Sequence, residues 1–252
     1  MDIFISNRLG GEQFSDVMTL VEESAKADGT SGISFLEQEL NAIEEFPCFY
    51  LMYDGSRLVS YLSVFIPDED SCEIYSVTLP TERGKGYFKC LLSEAMKHVR
   101  EYGITYRCVV KEPDSRNMDG YLERLNAKLV DEDFLLSYDV EAKPEPKGIL
   151  KLNYRKVGST GIYETFKDDK LVGSCQVEGS GQTAVIHDVE VDETERGKGY
   201  GTETLLLVLE HLRATDASRI VLHVNGGNEA AFAMYTHHGF VEEQRIEYWK
   251  IV

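Results

Sequence analysis

The chain is short of positive charge. It has 26 Lys and Arg against 44 Asp and Glu, a formal net charge of −18. Such a surface repels phosphate backbones, so a nucleic-acid partner is excluded and a cationic one is favoured. Long apolar runs are missing too: nothing approaches the ~20 residues of a membrane span. The opening MDIFISNRLGG lacks a basic segment leading into an apolar run, so no signal peptide is expected and the location is read as cytoplasmic. Cysteine is sparse. Cys48, Cys72, Cys90, Cys108 and Cys175 are odd in number and widely spaced, with no CxxC, which argues against a disulfide framework or a zinc site. Six histidines include no HExxH, so no metal is expected. GxxxxGK[ST] and GxGxxG are both absent, which disfavours a P-loop NTPase and a dinucleotide-dependent oxidoreductase.

What is present is a repeat. TERGKGY occupies 81–87 and recurs at 194–200. Before the first copy, YLMYDGSRLVSYLSV (50–64) reads as a hairpin turning at Asp54-Gly55. Before the second, YETFKDDKLVGSCQV (163–177) turns at Asp168-Asp169, and Leu58-Val59-Ser60 aligns with Leu171-Val172-Gly173. Helix-period runs follow each copy: Leu92, Ala95, Met96 and Val99, then Leu205, Val208, Leu209 and Leu212. Strands TYRCVV (105–110) and RIVLHV (219–224) come next, and FLLSYDV (134–140) and EYWKIV (247–252) are expected to close the two halves. Each half is therefore a mixed α/β unit. The polar EAKPEPKG (141–148) is the expected linker, giving domains 1–143 and 144–252.

The halves differ at their starts. The N-terminal half has room for two helices. One carries Phe14, Val17, Met18, Val21 and Ala25 on one face; the other starts at Ser34-Phe35-Leu36-Glu37, a capping box, and runs to Pro47. The C-terminal half goes from KLNYRKV (151–157) straight into its next strand and lacks this helix pair.

RGKGYG (196–201) follows the strand VIHDVEV (185–191) and opens a helix. Glycines let the backbone turn sharply and approach a ligand. The unpaired N–H groups of a helix start, with its dipole, favour an anion such as a pyrophosphate. The strand, loop and helix resemble the acetyl-coenzyme A loop of the GCN5-related N-acetyltransferase (GNAT) superfamily, with Arg196, Gly199 and Gly201 filling its pattern. NEAAFAMYTHHGF (228–240) resembles the family's second element at Asn228, Ala231, Tyr235, Gly239 and Phe240. The likeness extends along essentially the whole chain, in two copies.

That resemblance implies a tandem GNAT fold and transfer of an acetyl group from acetyl-coenzyme A to an amine. The implied pyrophosphate contacts are the backbone of Arg196, Gly197, Lys198, Gly199, Tyr200 and Gly201. The strand residues Val189, Glu190 and Val191 would run beside the pantetheine arm, and Asn228 would contact that arm. Tyr235 matches the usual general acid. Asp188 and Glu190, on one strand face by alternation with His187 on the other, are the candidate bases. The N-terminal loop, Arg83, Gly84, Lys85, Gly86 and Tyr87, ends in Phe88 where the other ends in a glycine. Its second element is weaker: Leu122 falls at the tyrosine position and Ser115 at the asparagine position, with Tyr121 and Asn117 close by. Glu73 is a possible carboxylate there. Either the C-terminal half works and the N-terminal half is a degenerate copy, or the reverse. The acceptor expected from the charge is a small or peptidic cationic amine; the alternative is a non-catalytic acyl-coenzyme A binding or sensing module.

Overall fold

The computed structural model describes residues 1–180 and 182–251. Two compact units emerge, Met1–Glu132 with Ile246–Val252, and Asp133–Arg245.

The first unit begins with β1 (Asp2–Ser6) and α1 (Gly11–Asp28), then β2 (Phe49–Asp54), β3 (Arg57–Phe65) and β4 (Ser71–Thr78) in antiparallel succession. Next come α2 (Tyr87–Glu101), β5 (Tyr106–Lys111), which lies parallel to β4, and the short α3 (Asp119–Arg124). All of β3 except its two ends is buried, so both its faces are covered; α1 and α2 are the helices packed on it. The α1 stripe that goes inward is Val17, Leu20, Val21 and Ser24, while Phe14 and Met18 are 46% and 45% exposed. The inward face is thus rotated from the one the sequence suggested. The second expected helix is reduced to a 3-10 turn, Gln38–Leu40. Hydrogen bonds explain the loss: Ala42 N–H donates to Ile66 O and Ile66 N–H to Asn41 Oδ1, stitching this segment to the end of β3 rather than to itself.

Strand β6 (Lys128–Tyr138) leads towards the second unit. There follow β7 (Lys151–Val157), β8 (Thr160–Lys167), β9 (Lys170–Ser180) and β10 (Thr183–Val191), all antiparallel neighbours. Then come α4 (Tyr200–Arg213), β11 (Arg219–Asn225), parallel to β10, α5 (Glu229–His237) and β12 (Phe240–Ile251). The β8–β9 turn places Asp168 and Asp169 at φ 48° and 65°, the geometry of a two-residue hairpin turn. Burial alternates along β8, and α4 covers one face of this sheet.

The closing strands are exchanged relative to the division at 143/144. Asp133–Tyr138 of β6 pairs with β11, and Glu247–Ile251 of β12 pairs with β5. Each apolar closing run therefore completes the core of the other sequence half. Phe134, Leu136 and Tyr138 are buried with Leu209 and Leu222; Ile251 is buried with Val109 and Leu92. Residues 141–148 accordingly lie inside the second unit, not between the two.

The duplication reaches side-chain detail. Tyr50 Oη lies 2.8 Å from His98 Nδ1, and Tyr163 Oη lies 2.9 Å from His211 Nδ1, 48 residues apart in both cases.

Candidate active site

The parallel pairing of β10 with β11 stops at Ile186 and Leu222. A bulge follows between His187 and Glu190, with Asp188 at φ 51°. One extra residue on a strand bends it and re-aims what comes after. In the first unit the corresponding pairing stops at Ile74 and Val109, but β4 keeps continuous register with β3. The second unit spends one residue more between Ile186 and Arg196 than the first does between Ile74 and Arg83, and the bulge at Asp188 accounts for it.

Beyond the bulge, Asp192 caps a 3-10 turn by accepting from Thr194 N–H and Oγ1–H at 2.9 and 2.5 Å. These bonds hold its carboxyl below the usual range. The chain then extends through Arg196 and turns at Gly197 and Gly199, at φ 77° and 81°. Side chains resist this left-handed backbone. Gly199 is the N-cap of α4 and offers no side-chain acceptor, so the first-turn N–H groups are left for a ligand.

A cleft of about 970 Å³ opens here, near the top of the ~300–1,000 Å³ usual for ligand sites. It gathers Val189, Glu190, Val191, Arg196, Gly197, Gly199, Tyr200 and Gly201 from the strand and loop, with Asn228 from the cap of α5 and Tyr235 from its body. Lys198 is not among the lining residues; its Nζ is 2.7 Å from Glu195. Asp188 is not among them either. Its carboxylate accepts from Gln176 Nε2 at 3.0 Å and lies 3.1 Å from His187 Nδ1. The bulge breaks the alternation that grouped Asp188 with Glu190. Asn228 Oδ1 accepts from Ala231 N–H at 3.2 Å, capping α5, which fixes where that side chain points. Tyr235 is 6% exposed, leans on Phe240, and has its hydroxyl pushed up to about 12 by burial. Its phenol is neutral throughout the physiological range.

The first unit has a smaller cavity, about 440 Å³, lined by Arg83, Gly84, Gly86, Tyr87 and Phe88. Lys85 turns away to Glu82 at 2.7 Å, as Lys198 does to Glu195. Phe88 packs edge-on against Tyr121, which also lines the cavity, whereas Leu122 is buried in the core. Tyr121, not Leu122, is therefore the residue of α3 that faces the loop. Glu73 accepts from Tyr75 Oη at 2.6 Å and does not line this cavity.

The two loop arginines share one contact and differ in another. Arg196 Nε donates to Val191 O and Arg83 Nε to Thr78 O, each the last residue of its strand. The Arg83 guanidinium then donates twice to Asp28 at the end of α1, both at 2.7 Å. The Arg196 side chain is 66% exposed, and among the described residues its one ion-pair partner is Glu193, at 3.8 Å. Asp28 was invisible to motif reading, since no sequence spacing links it to Arg83.

A model of the acetyltransferase (GNAT) family matches residues 15–126 and again 128–240. The chain belongs to the GNAT family. The second match starts within β6, in keeping with the unit that begins at Asp133. A mycothiol acetyltransferase from Thermobispora bispora is 27% identical over 273 residues, 89% of this chain and 91% of that one. One from Corynebacterium efficiens is 34% identical over 93 residues, a match spanning 36% of this chain and only 31% of that relative. Among solved structures, a GCN5-related N-acetyltransferase from Sphaerobacter thermophilus matches 98% of this chain and 95% of its own, with TM-score 0.78 and 13% identity. A tandem GNAT protein from the clavulanic acid biosynthesis pathway matches 99% and 98%, with TM-score 0.67 and 14% identity. At these identities the structures show a shared tandem GNAT fold. Among the described residues no helix is long and apolar enough to cross a membrane.

Proposed function

We propose that the C-terminal half of this GNAT protein binds acetyl-coenzyme A in the cleft at Arg196–Gly201 and transfers the acetyl group to a primary amine. The observation that carries this reading is the contrast between the arginines: the helix after each loop starts uncapped, but Arg196 faces solvent while Arg83 is already held by a carboxylate.

The amine nitrogen attacks the thioester carbonyl; a C–N bond forms and the C–S bond breaks. Backbone N–H groups in Val189–Val191 are the donors for the oxyanion. Glu190, exposed on the cleft wall, takes the amine's proton directly or through water. A thiolate of ordinary basicity, ~8.5, does not take a proton outright from a phenol at about 12. Tyr235 instead hydrogen-bonds the departing sulfur, and the proton released by the amine completes the thiol.

The acceptor we propose is a small or peptidic amine with further positive charge. Cross-strand register places Glu164, Ser174 and Glu190 in one row, and Ile162, Gln176 and His187 in the next. These positions remain half or fully exposed, on a sheet that lacks a counterpart of α1. The relatives' names support acetyl transfer without selecting the acceptor. Five free cysteines, four of them buried, suit a reducing cytosol.

The test is release of free thiol from acetyl-coenzyme A across a panel of primary amines. Amine-dependent release supports the proposal. Tight cofactor binding with no release for any amine removes the enzymatic part of it.

A further inference from the structure

Glu203 lies in the first turn of α4, directly after the loop, and is 1% exposed. Burying a carboxylate is costly unless its oxygens are hydrogen-bonded. Among the described residues no cationic side chain pairs with it. Its oxygens instead accept two backbone N–H groups, Oε2 from Lys147 at 2.8 Å and Oε1 from Ile149 at 3.0 Å. The nearby helix N-terminus also favours the negative charge.

The next residue is anchored as well. Thr204 Oγ1 is 2.8 Å from Thr165 Oγ1 on β8, and Thr165 donates to Gly173 O at 3.1 Å. A Cβ at Gly173 would come within 2.9 Å of both hydroxyl oxygens and 3.2 Å of Glu190 O. Only a bare backbone lets α4 sit this close to β9. The first turn of α4 is thus tied to the incoming chain by Glu203 and to the sheet by Thr204.

The repeat provides an internal control. By the alignment of TERGKGY, the N-terminal half carries Met52, Ser60, Cys90 and Leu91 where these residues stand. Cys90 is exposed and Leu91 is part of the apolar core, so no such anchor exists there.

We propose that Glu203 is a positioning residue for acetyl-coenzyme A: by bonding to Lys147 and Ile149 it fixes the first turn of α4, and with it the Arg196–Gly201 backbone that receives the pyrophosphate. This rests on the C-terminal half being the cofactor site.

The experiment compares wild type, Glu203→Ala and Glu203→Gln for KM and kcat with acetyl-coenzyme A, for Kd by titration, and for melting temperature. Glu203→Ala is expected to raise KM and Kd about tenfold or more with kcat within about twofold. Glu203→Gln, which keeps one acceptor oxygen and turns an amide against the other N–H, falls between. It also serves as the test if the alanine variant does not fold. A lower melting temperature with unchanged KM and Kd makes Glu203 merely structural and overturns the proposal while leaving the cofactor site intact. A fall in kcat at constant KM also overturns it. Wild type that fails to bind acetyl-coenzyme A overturns both this proposal and the reading beneath it.

Discussion

Arg83 grips Asp28 through two parallel bonds, Nη1 to Oδ1 and Nη2 to Oδ2, each 2.7 Å long. Fork-to-fork pairing is the strongest geometry a guanidinium has with an anion. Asn117 adds a third contact to the same carboxylate at 3.1 Å. Asp28 is the last residue of α1, the helix that the second unit lacks, so the arginine of an identical heptapeptide is left open there. The arginine of one loop is thus paired with a carboxylate from α1, and the arginine of the other is exposed.

Removing the phenol at Tyr235 should separate chemistry from binding. Tyr235→Phe keeps the ring against Phe240, so Kd for acetyl-coenzyme A is expected to stay within about twofold. Turnover should fall on the order of 10²-fold, the low end for losing one hydrogen-bond donor to developing charge. Steady-state kinetics beside titration checks this; unchanged turnover would make Tyr235 a packing residue only.

Glu190 and Asp188 are expected to behave differently despite their spacing. Glu190→Ala should lower kcat on the order of 10²-fold, because its side chain borders the cleft. Asp188→Ala should leave kcat within about twofold, because that carboxylate is engaged with His187 and Gln176. Equal kcat for both variants would discard Glu190 as the base.

Much of this architecture was legible in the residues. The repeated heptapeptide, the turn at Asp168-Asp169, the first hairpin (its turn one residue on from Asp54-Gly55, at Gly55 and Ser56) and the helical spacing from Leu205 to Leu212 report local backbone preference and burial, which a sequence carries directly. The bulge at Asp188 was not, since alternation assumes unbroken register. The strand exchange was not either. FLLSYDV and EYWKIV are both apolar closing strands, and pairing choice depends on the partner edge rather than on the strand itself. The second helix failed for a related reason: a capping box marks a possible start, but Asn41 and Ala42 bond to Ile66 instead. Asp28 and Glu203, the residues that most distinguish the two loops, act across 55 and about as many positions of chain, beyond any local motif.

Deleting residues 246–252 should damage the N-terminal half rather than the C-terminal one. Ile251 is buried in the first unit's core and Trp249 packs against it, opposite Val109. Two such side chains contribute roughly 3 kcal/mol or more. Faster amide exchange in β5 is expected, with a lower unfolding midpoint; in the intact chain Trp249 emission should follow unfolding of the first unit alone. Unaltered exchange in β5 would contradict the observed pairing.

Alkali should destabilise the fold before it alters the cofactor cleft. Burial pushes Cys48, Cys72 and Cys175 from 9.0 up to about 12, and Tyr235 from 10.0 to about 12. The folded chain keeps these protons where the unfolded chain has released them. Their stabilising contribution is complete below pH 9 and is lost as pH rises towards 12. Melting temperature should therefore fall across that window, and less steeply in a Cys175→Ala variant corrected for its lost packing. A flat profile would mean that the thiols are more accessible than their burial indicates.

One loop of the two is expected to bind acetyl-coenzyme A. Gly199 and Gly86 hold nearly the same backbone, φ 81° and 88°, and a side chain at either would meet open space. Glutamate at each position therefore imposes similar strain and the same charge, in different halves. Isothermal titration of acetyl-coenzyme A into wild type, Gly199→Glu and Gly86→Glu is the direct measurement. Wild type and Gly86→Glu are expected to bind and Gly199→Glu is expected not to; binding abolished only by Gly86→Glu would put the cofactor in the N-terminal half instead.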